Sequence, residues 1–306
     1  MLMSIDLLKL NEAVQTDPRG LIAECDAAYD RRVYNAAVKI KENIWRSPII
    51  LLAGPSSSAK TTTAGRLRHM LRGMGVGCHM VSLDDYYRTR SDGNYPLTAD
   101  GEPDLESPLA LDIPLLNEHL FHLGKGEEVQ IPHFSFPLQR RTEETVPLRI
   151  APGDCVIFEG IHGLNDLFAD HKDAFRIYVS DDSHITENGK RVFDKNWTRL
   201  LRRCVRDLNY RGFPIEETLA LWDNVRLGES LYITPYIDRA DVTMDTSLGY
   251  EVPVLAAFAA PYFAEMKVTV PQAELIRKIL HRLEKFAPID PALVPDSSLL
   301  REEFIK

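Results

Sequence analysis

A chain of 306 residues, 44% hydrophobic and 26% charged, has the balance of a soluble globular protein and is long enough for one large domain or two ordinary ones. That balance excludes a disordered, fibrous or collagen-like chain, and no apolar run approaches the roughly 20 residues that span a bilayer. A formal net charge of −9 makes nucleic acid a poor first expectation for a partner, because duplex binders carry a basic face. The N-terminal MLMSIDLLKLNEAVQ places acids early and lacks a basic-then-apolar order, so no signal peptide is expected. The four scattered cysteines, Cys25, Cys78, Cys155 and Cys204, are then expected as reduced thiols of a cytoplasmic protein.

Residues 1–46 are polar and mixed, and Leu7, Leu8, Leu10, Val33, Ala36, Ala37 and Ile40 suggest short helices in an N-terminal extension. Pro48–Ala53 is short, continuous and β-branched, as a strand buried on both faces of a parallel sheet should be. It runs into Gly54-Pro-Ser-Ser-Ser-Ala-Lys60-Thr61-Thr62, the phosphate-binding pattern G-x-x-x-x-G-K-[ST] with Ala59 at the second glycine. Small residues let backbone N–H groups turn toward phosphate oxygens. The helix expected over Thr61–Met74 offers its positive N-terminus to the same anion. Gly54, Ser56, Ser57, Ser58, Ala59, Lys60, Thr61 and Thr62 are therefore candidate ATP-binding residues, Lys60 for the β- and γ-phosphates and the Thr61 hydroxyl for Mg²⁺. Ala59 would cost about 1 kcal/mol if the loop demands a positive φ there. A Ser-rich turn that merely caps a helix is the bland reading, and the flanking strand and helix speak against it.

A second strand is expected over Cys78–Ser82, running into Leu83-Asp84-Asp85-Tyr86-Tyr87. Ligands of open α/β sheets sit beyond the carboxyl ends of the strands. Asp84 or Asp85 could there accept the proton of an attacking hydroxyl, and spacing does not choose between them. Arg88–Leu111, rich in Pro, Gly and Asp, reads as a long surface loop, a lid or binding segment. Ile113–Leu123 is helical in pattern. Cys155–Phe158 is a third strand ending at Glu159; an acid closing an apolar strand would hold Mg²⁺ directly or through water, whereas the following His162 reads as structural. Phe175–Val179 and Asp241–Met244 are further strands, and Thr198–Asn209 and Ile215–Arg226 are helical. Strands alternating with helices argue a parallel sheet with crossover helices. Gln272–Phe286 is amphipathic, and a Pro-punctuated tail follows Pro288.

Arg199, Arg202, Arg203 and Arg206 recur at i, i+3, i+4 and i+7, one face of a helix, and Arg211 follows. Leu200, Leu201, Val205 and Leu208 are left for the core. A solvated face with pairs such as Arg203–Asp207 would be the ordinary explanation. In an acidic chain, five arginines between positions 199 and 211 suit forked binding of phosphate oxygens, and make the segment about 185–230 a lid over ATP.

Taken together, GPSSSAKTT, VSLDDYY, IPHFSF, FEGIHG and TRLLRRCVRDLNYRG resemble, in matching order over about residues 45–265, the uridine kinase branch of the phosphoribulokinase/uridine kinase family. The N-terminal extension and the tail resemble the longer bacterial nucleoside kinases of that branch. The resemblance implies ATP-dependent phosphorylation of a nucleoside 5′-hydroxyl, with the general base at Asp84. It implies that Tyr87, Phe134 and Phe136 line the nucleoside, where stacking contributes roughly 1–3 kcal/mol per base. It also implies that Glu106 stands near the ribose, that Gln139 replaces a base-reading His, and that Arg203, Arg206 and Arg211 are lid and substrate arginines. Ser135 and Trp197 each replace an Asp of the family, and Phe213 replaces an Arg. With Gln139, these departures bear on the choice of base rather than on phosphoryl transfer. Relatives imply a homo-oligomer.

The expectation is thus a P-loop α/β kinase, a mostly parallel sheet with helices on both faces and an arginine-rich lid. Residues 1–46 form the extension, 47–270 the kinase domain and 271–306 a C-terminal helix and tail. Asp84, Lys60, Arg203 and Arg206 carry the chemistry, Arg199 and Arg202 assist in holding ATP, and Thr61, Glu159 and Asp84 surround Mg²⁺. Uridine or cytidine is the leading substrate, with no nucleic-acid or membrane partner. Two other readings use the same residues: a same-fold kinase of a non-nucleoside hydroxyl such as a sugar phosphate or pantothenate, and an ATP-binding regulator. The many acids around Tyr87–Glu106 disfavour the first, and the complete set of base, aromatics and lid disfavours the second.

Overall fold

The computed structural model describes residues 4–91, 93, 95–98, 101–168, 171–266 and 270–306. The strands are β1 (Ser4–Asp6), β2 (Ile49–Ala53), β3 (Cys78–Ser82), β4 (Val129–Ser135), β5 (Arg140–Leu148), β6 (Cys155–Glu159), β7 (Phe175–Ser180), β8 (His184–Glu187), β9 (Lys190–Phe193) and β10 (Val242–Asp245). The helices are α1 (Leu7–Thr16), α2 (Pro18–Asn43), α3 (Lys60–Gly73), α4 (Ile113–Gly124), α5 (Lys195–Arg206), α6 (Ile215–Tyr232), α7 (Glu251–Glu265), α8 (Val270–Leu283) and α9 (Leu299–Glu303).

Five strands form the central sheet in the order β10-β7-β2-β6-β3, every neighbouring pair parallel. They are the five apolar runs expected to be strands, each within a residue of its expected bounds. Alternation along β2 divides the core. Ile50 and Leu52 pack with Tyr29 of α2, Leu67 of α3, Leu201 of α5 and Leu255 of α7. Ile49 and Leu51 face the other way, onto Leu116 and Leu120 of α4. Helices therefore cover both faces, and every residue of β2 and β6 is buried.

Three features lie outside the expected pattern. β4 and β5 form an antiparallel hairpin beside the sheet, with Gln139 at φ 52° in its turn. β8 and β9 form a second hairpin within the segment expected as the lid, and β1 pairs parallel with β8. Of the loop expected over 88–111, residues 92, 94, 99 and 100 lie outside the described residues; a short 3₁₀ turn spans Pro108–Ala110.

Both ends of the chain enter the main core. Leu7, Leu10 and Val33 belong to the same buried cluster as Leu299, Leu300, Phe304 and Ile305. Among the described residues, no helix is long and apolar enough to cross a membrane.

Candidate active site

The turn from β2 into α3 is built for an anion. A Cβ on Gly54 would lie 2.0 Å from the carbonyl oxygen of Val179, so only glycine fits beneath the loop. Ser57 (φ 61°) and Ala59 (φ 63°) are left-handed, which turns successive N–H groups toward one concavity. Ala59 caps α3 without a side-chain acceptor, so the donors of the first turn are left to another partner. The Ser57 and Ser58 hydroxyls are buried and make no hydrogen bond. An unsatisfied buried polar group costs about 1–3 kcal/mol, and phosphate oxygens have the chemistry to relieve it. These features fit a bound nucleotide polyphosphate.

Ala59 does adopt the costly torsion. Glycine there would remove about 1–2 kcal/mol of strain. It would also add about 0.4–1 kcal/mol of unfolded-state entropy and lose about 0.8 kcal/mol from a buried methyl. The terms nearly cancel, which explains how alanine is accommodated. Ala59→Gly should therefore change unfolding free energy by less than about 1 kcal/mol. Ala59→Val, β-branched at positive φ, should destabilise measurably and raise the KM for ATP; chemical denaturation and initial rates check both.

Lys60 donates to the Pro55 carbonyl at 3.1 Å. Burial lowers its pKa, opposed by the charges of Glu159 and Asp84. The Thr61 hydroxyl donates to Glu159 Oε1 at 3.1 Å, joining two of the three residues expected around Mg²⁺. Glu159 is raised by burial, with Lys60 pulling it down and Asp84 pushing it up. An oxygen pair of this kind beside a phosphate cradle fits a small divalent cation.

The pair at the end of β3 divides by direction. Asp85 Oδ1 accepts from the backbone N–H of Phe134 at 3.3 Å and lies 3.2 Å from His133 Nδ1, so this carboxylate is engaged in fastening β4. Asp84 senses Lys60: burial raises its pKa, and the Lys60 ammonium is the largest opposing influence. His162, three residues after Glu159, is buried with neither ring nitrogen hydrogen-bonded; burial depresses its pKa to about 3, so its ring is neutral.

The residues expected to line the nucleoside form an aromatic cluster. The Tyr87 ring lies 5.7 Å from Phe134 and 6.4 Å from Phe136, and the two phenylalanines are 5.3 Å apart. Tyr87 lies in the field of both Asp84 and Glu106. Burial pushes the Glu106 carboxyl up to about 7, with Arg203 as the largest opposing charge. Gly228 lets α6 close on it, since a Cβ there would lie 2.5 Å from the Glu106 Cβ. Gln139 is not drawn in with these groups: its side chain is exposed, and its carbonyl accepts from the Arg90 N–H at 3.2 Å.

The arginine helix is buried rather than solvated. Arg199 donates to the Ser56 carbonyl at 2.9 Å and pairs with Glu229. Arg203 donates to Ser56 Oγ at 2.7 Å. Arg206 donates to Asp207 Oδ1 at 2.8 Å, and Asp207 also lies 3.5 Å from both Arg203 Nε and Arg211 Nη1. Arg202 is placed differently. It is fully buried behind the loop, donating to Glu251 at 2.5 and 3.0 Å and to the Thr246 carbonyl at 2.9 Å; its reach to the loop is the Ser57 carbonyl at 3.5 Å. Glu229, Glu251 and Asp207 are thus the carboxylates that hold the arginines in place. Only Asp207, four residues after Arg203, has a spacing signal.

Comparison with known proteins finds relatives by sequence. The sequence profile described as the Phosphoribulokinase / Uridine kinase family matches residues 49–249. The chain is similar to a uridine kinase of Staphylococcus haemolyticus, 31% identical over 196 residues, which is 63% of this chain and 85% of that protein. It is also similar to a uridine kinase of Deinococcus deserti, 28% identical over 213 residues, 69% of this chain and 93% of the relative. Among solved structures, D-glycerate 3-kinase from Cryptococcus neoformans is 19% identical with a TM-score of 0.35, over 89% of this chain and 92% of that one.

Proposed function

We propose that this chain, which belongs to the Phosphoribulokinase / Uridine kinase family and is an ATP-dependent phosphotransferase, passes the γ-phosphoryl of ATP to the 5′-hydroxyl of a nucleoside, with uridine or cytidine as the leading acceptors. The observation that carries this reading is the ring cluster of Tyr87, Phe134 and Phe136, whose tyrosine lies in the field of both Asp84 and Glu106. An aromatic wall suits a planar base, and a carboxylate beside it suits vicinal ribose hydroxyls.

In this reading the loop N–H groups and Lys60 hold the phosphates. Asp84 accepts the hydroxyl proton as the new O–P bond forms and the bond to the leaving ADP oxygen breaks. Arg203 and Arg206 neutralise charge on the passing phosphoryl group, while Arg199, seated on Ser56, fixes the arginine helix against the loop. Thr61 and Glu159, near Asp84, would hold Mg²⁺, which would supply positive charge to the phosphates. The segment about 185–230 serves as the lid.

The test is ADP release from ATP and Mg²⁺ with a panel of ribonucleosides, deoxyribonucleosides and small hydroxyl acceptors. Uridine or cytidine should stimulate it by about tenfold or more. Stimulation by a sugar phosphate or pantothenate instead would move the acceptor and keep the chemistry. Slow release indifferent to every acceptor would favour a regulator.

A further inference from the structure

The last helix of the described chain ends on the phosphate loop. The Thr62 hydroxyl, in the first turn of α3, donates to the carboxylate of Glu303 at the end of α9. Thr62 belongs to the same turn whose backbone donors are left open by the uncapped Ala59. A helix N-terminus attracts anions, and Glu303 is an anion already there.

The tail holds that carboxylate in position. Phe304 and Ile305 are fully buried, and the Tyr210 hydroxyl donates to the Ile305 carbonyl at 2.8 Å. Asn209 Nδ2 donates to the Phe304 carbonyl at 3.0 Å. On the other side, Arg66 donates to Glu302 at 2.9 Å and to the Ser297 carbonyl. The chain is thus fastened on both sides of Glu303. The charge of Glu303 is also felt by Lys60 and by Arg211.

A threonine hydroxyl has one proton to donate. Phosphate oxygens and the Glu303 carboxylate are both acceptors, and both are negative. We propose that Glu303 sets the affinity for the phosphate donor by competing with its phosphates for the Thr62 hydroxyl and the first turn of α3. The family profile matches residues 49–249, so this competitor lies in sequence outside the matched region. The inference concerns the phosphate donor and stands whichever acceptor is phosphorylated.

The experiment is equilibrium binding of Mg·ATP, without acceptor, to the full chain and to Glu303→Gln. The amide keeps the shape and a carbonyl acceptor but loses the charge. Removing one unit charge from beside the first turn of α3 should tighten binding by about fivefold in low salt, and the gain should shrink as KCl is raised. The KM for ATP should fall in parallel. Glu302→Gln, which removes a neighbouring charge paired with Arg66 instead of Thr62, should give a much smaller gain than Glu303→Gln. Glu303→Ala should tighten binding as Glu303→Gln does, which separates charge from any particular geometry of the amide. Unchanged or weaker binding in Glu303→Gln would overturn the proposal, and so would an equal gain in Glu302→Gln.

Discussion

Asp84→Asn should lower kcat by about a hundredfold or more while leaving ATP affinity nearly unchanged. The substitution keeps the size of the side chain and removes its ability to take a proton. Burial already raises this carboxyl above its ordinary value, which brings it closer to the range in which a general base works well at neutral pH. Lys60 opposes that rise and keeps the ionised form accessible. Asp85→Asn is the useful contrast. That carboxylate fastens Phe134 N–H and His133, so its loss should act through the hairpin and raise the acceptor KM more than it lowers kcat. Single-turnover rates and equilibrium ATP binding separate the two. Near-normal turnover in Asp84→Asn would remove Asp84 from the chemistry.

Arg202→Met should be the most destabilising of the arginine substitutions, by about 3–5 kcal/mol, a large part of a stability of about 5–15 kcal/mol. Removing the guanidinium would leave Glu251 buried and unpaired. It would also leave Asp181 without its nearest cation, at 4.0 Å. Burial pushes Asp181 up to about 8, and its oxygens make no hydrogen bond, so this corner tolerates negative charge poorly. The double variant Arg202→Met/Glu251→Gln should recover about half of the loss, because the amide removes the stranded charge and can still accept from the Leu248 N–H, now bonded at 2.8 Å. Urea unfolding of the two single variants and the double variant measures this. A stable Arg202→Met that has lost ATP affinity would place Arg202 in the nucleotide site rather than behind it.

The parallel sheet was legible because its strands are continuous apolar runs, a pattern imposed by burial on both faces. The hairpin of β4 and β5 was not, since most of β5 is exposed and gives no apolar alternation to read. The phosphate loop was legible from spacing, and its glycine position pointed to the torsion at Ala59; the second left-handed residue, Ser57, carries no such signal in the pattern. The arginine helix was visible as a stripe. Its burial was not, because Glu229 and Glu251 come from segments far along the chain and no local pattern ties them to Arg199 or Arg202. The choice between Asp84 and Asp85 depends on which way each side chain turns at the end of a strand, and adjacent carboxylates look alike in sequence.

The shared core of the two chain ends bears on how the protein is made. Leu7 and Ile305 belong to one buried cluster, so the loop that closes this core spans nearly the whole chain. A ribosome that has produced the phosphate loop, Asp84 and the arginine helix has not yet produced the residues that seal them. Until position 305 emerges, the apolar faces of α2, α3 and α5 lack part of their cover, and nascent chains in that interval are the ones most exposed to aggregation and most in need of a chaperone.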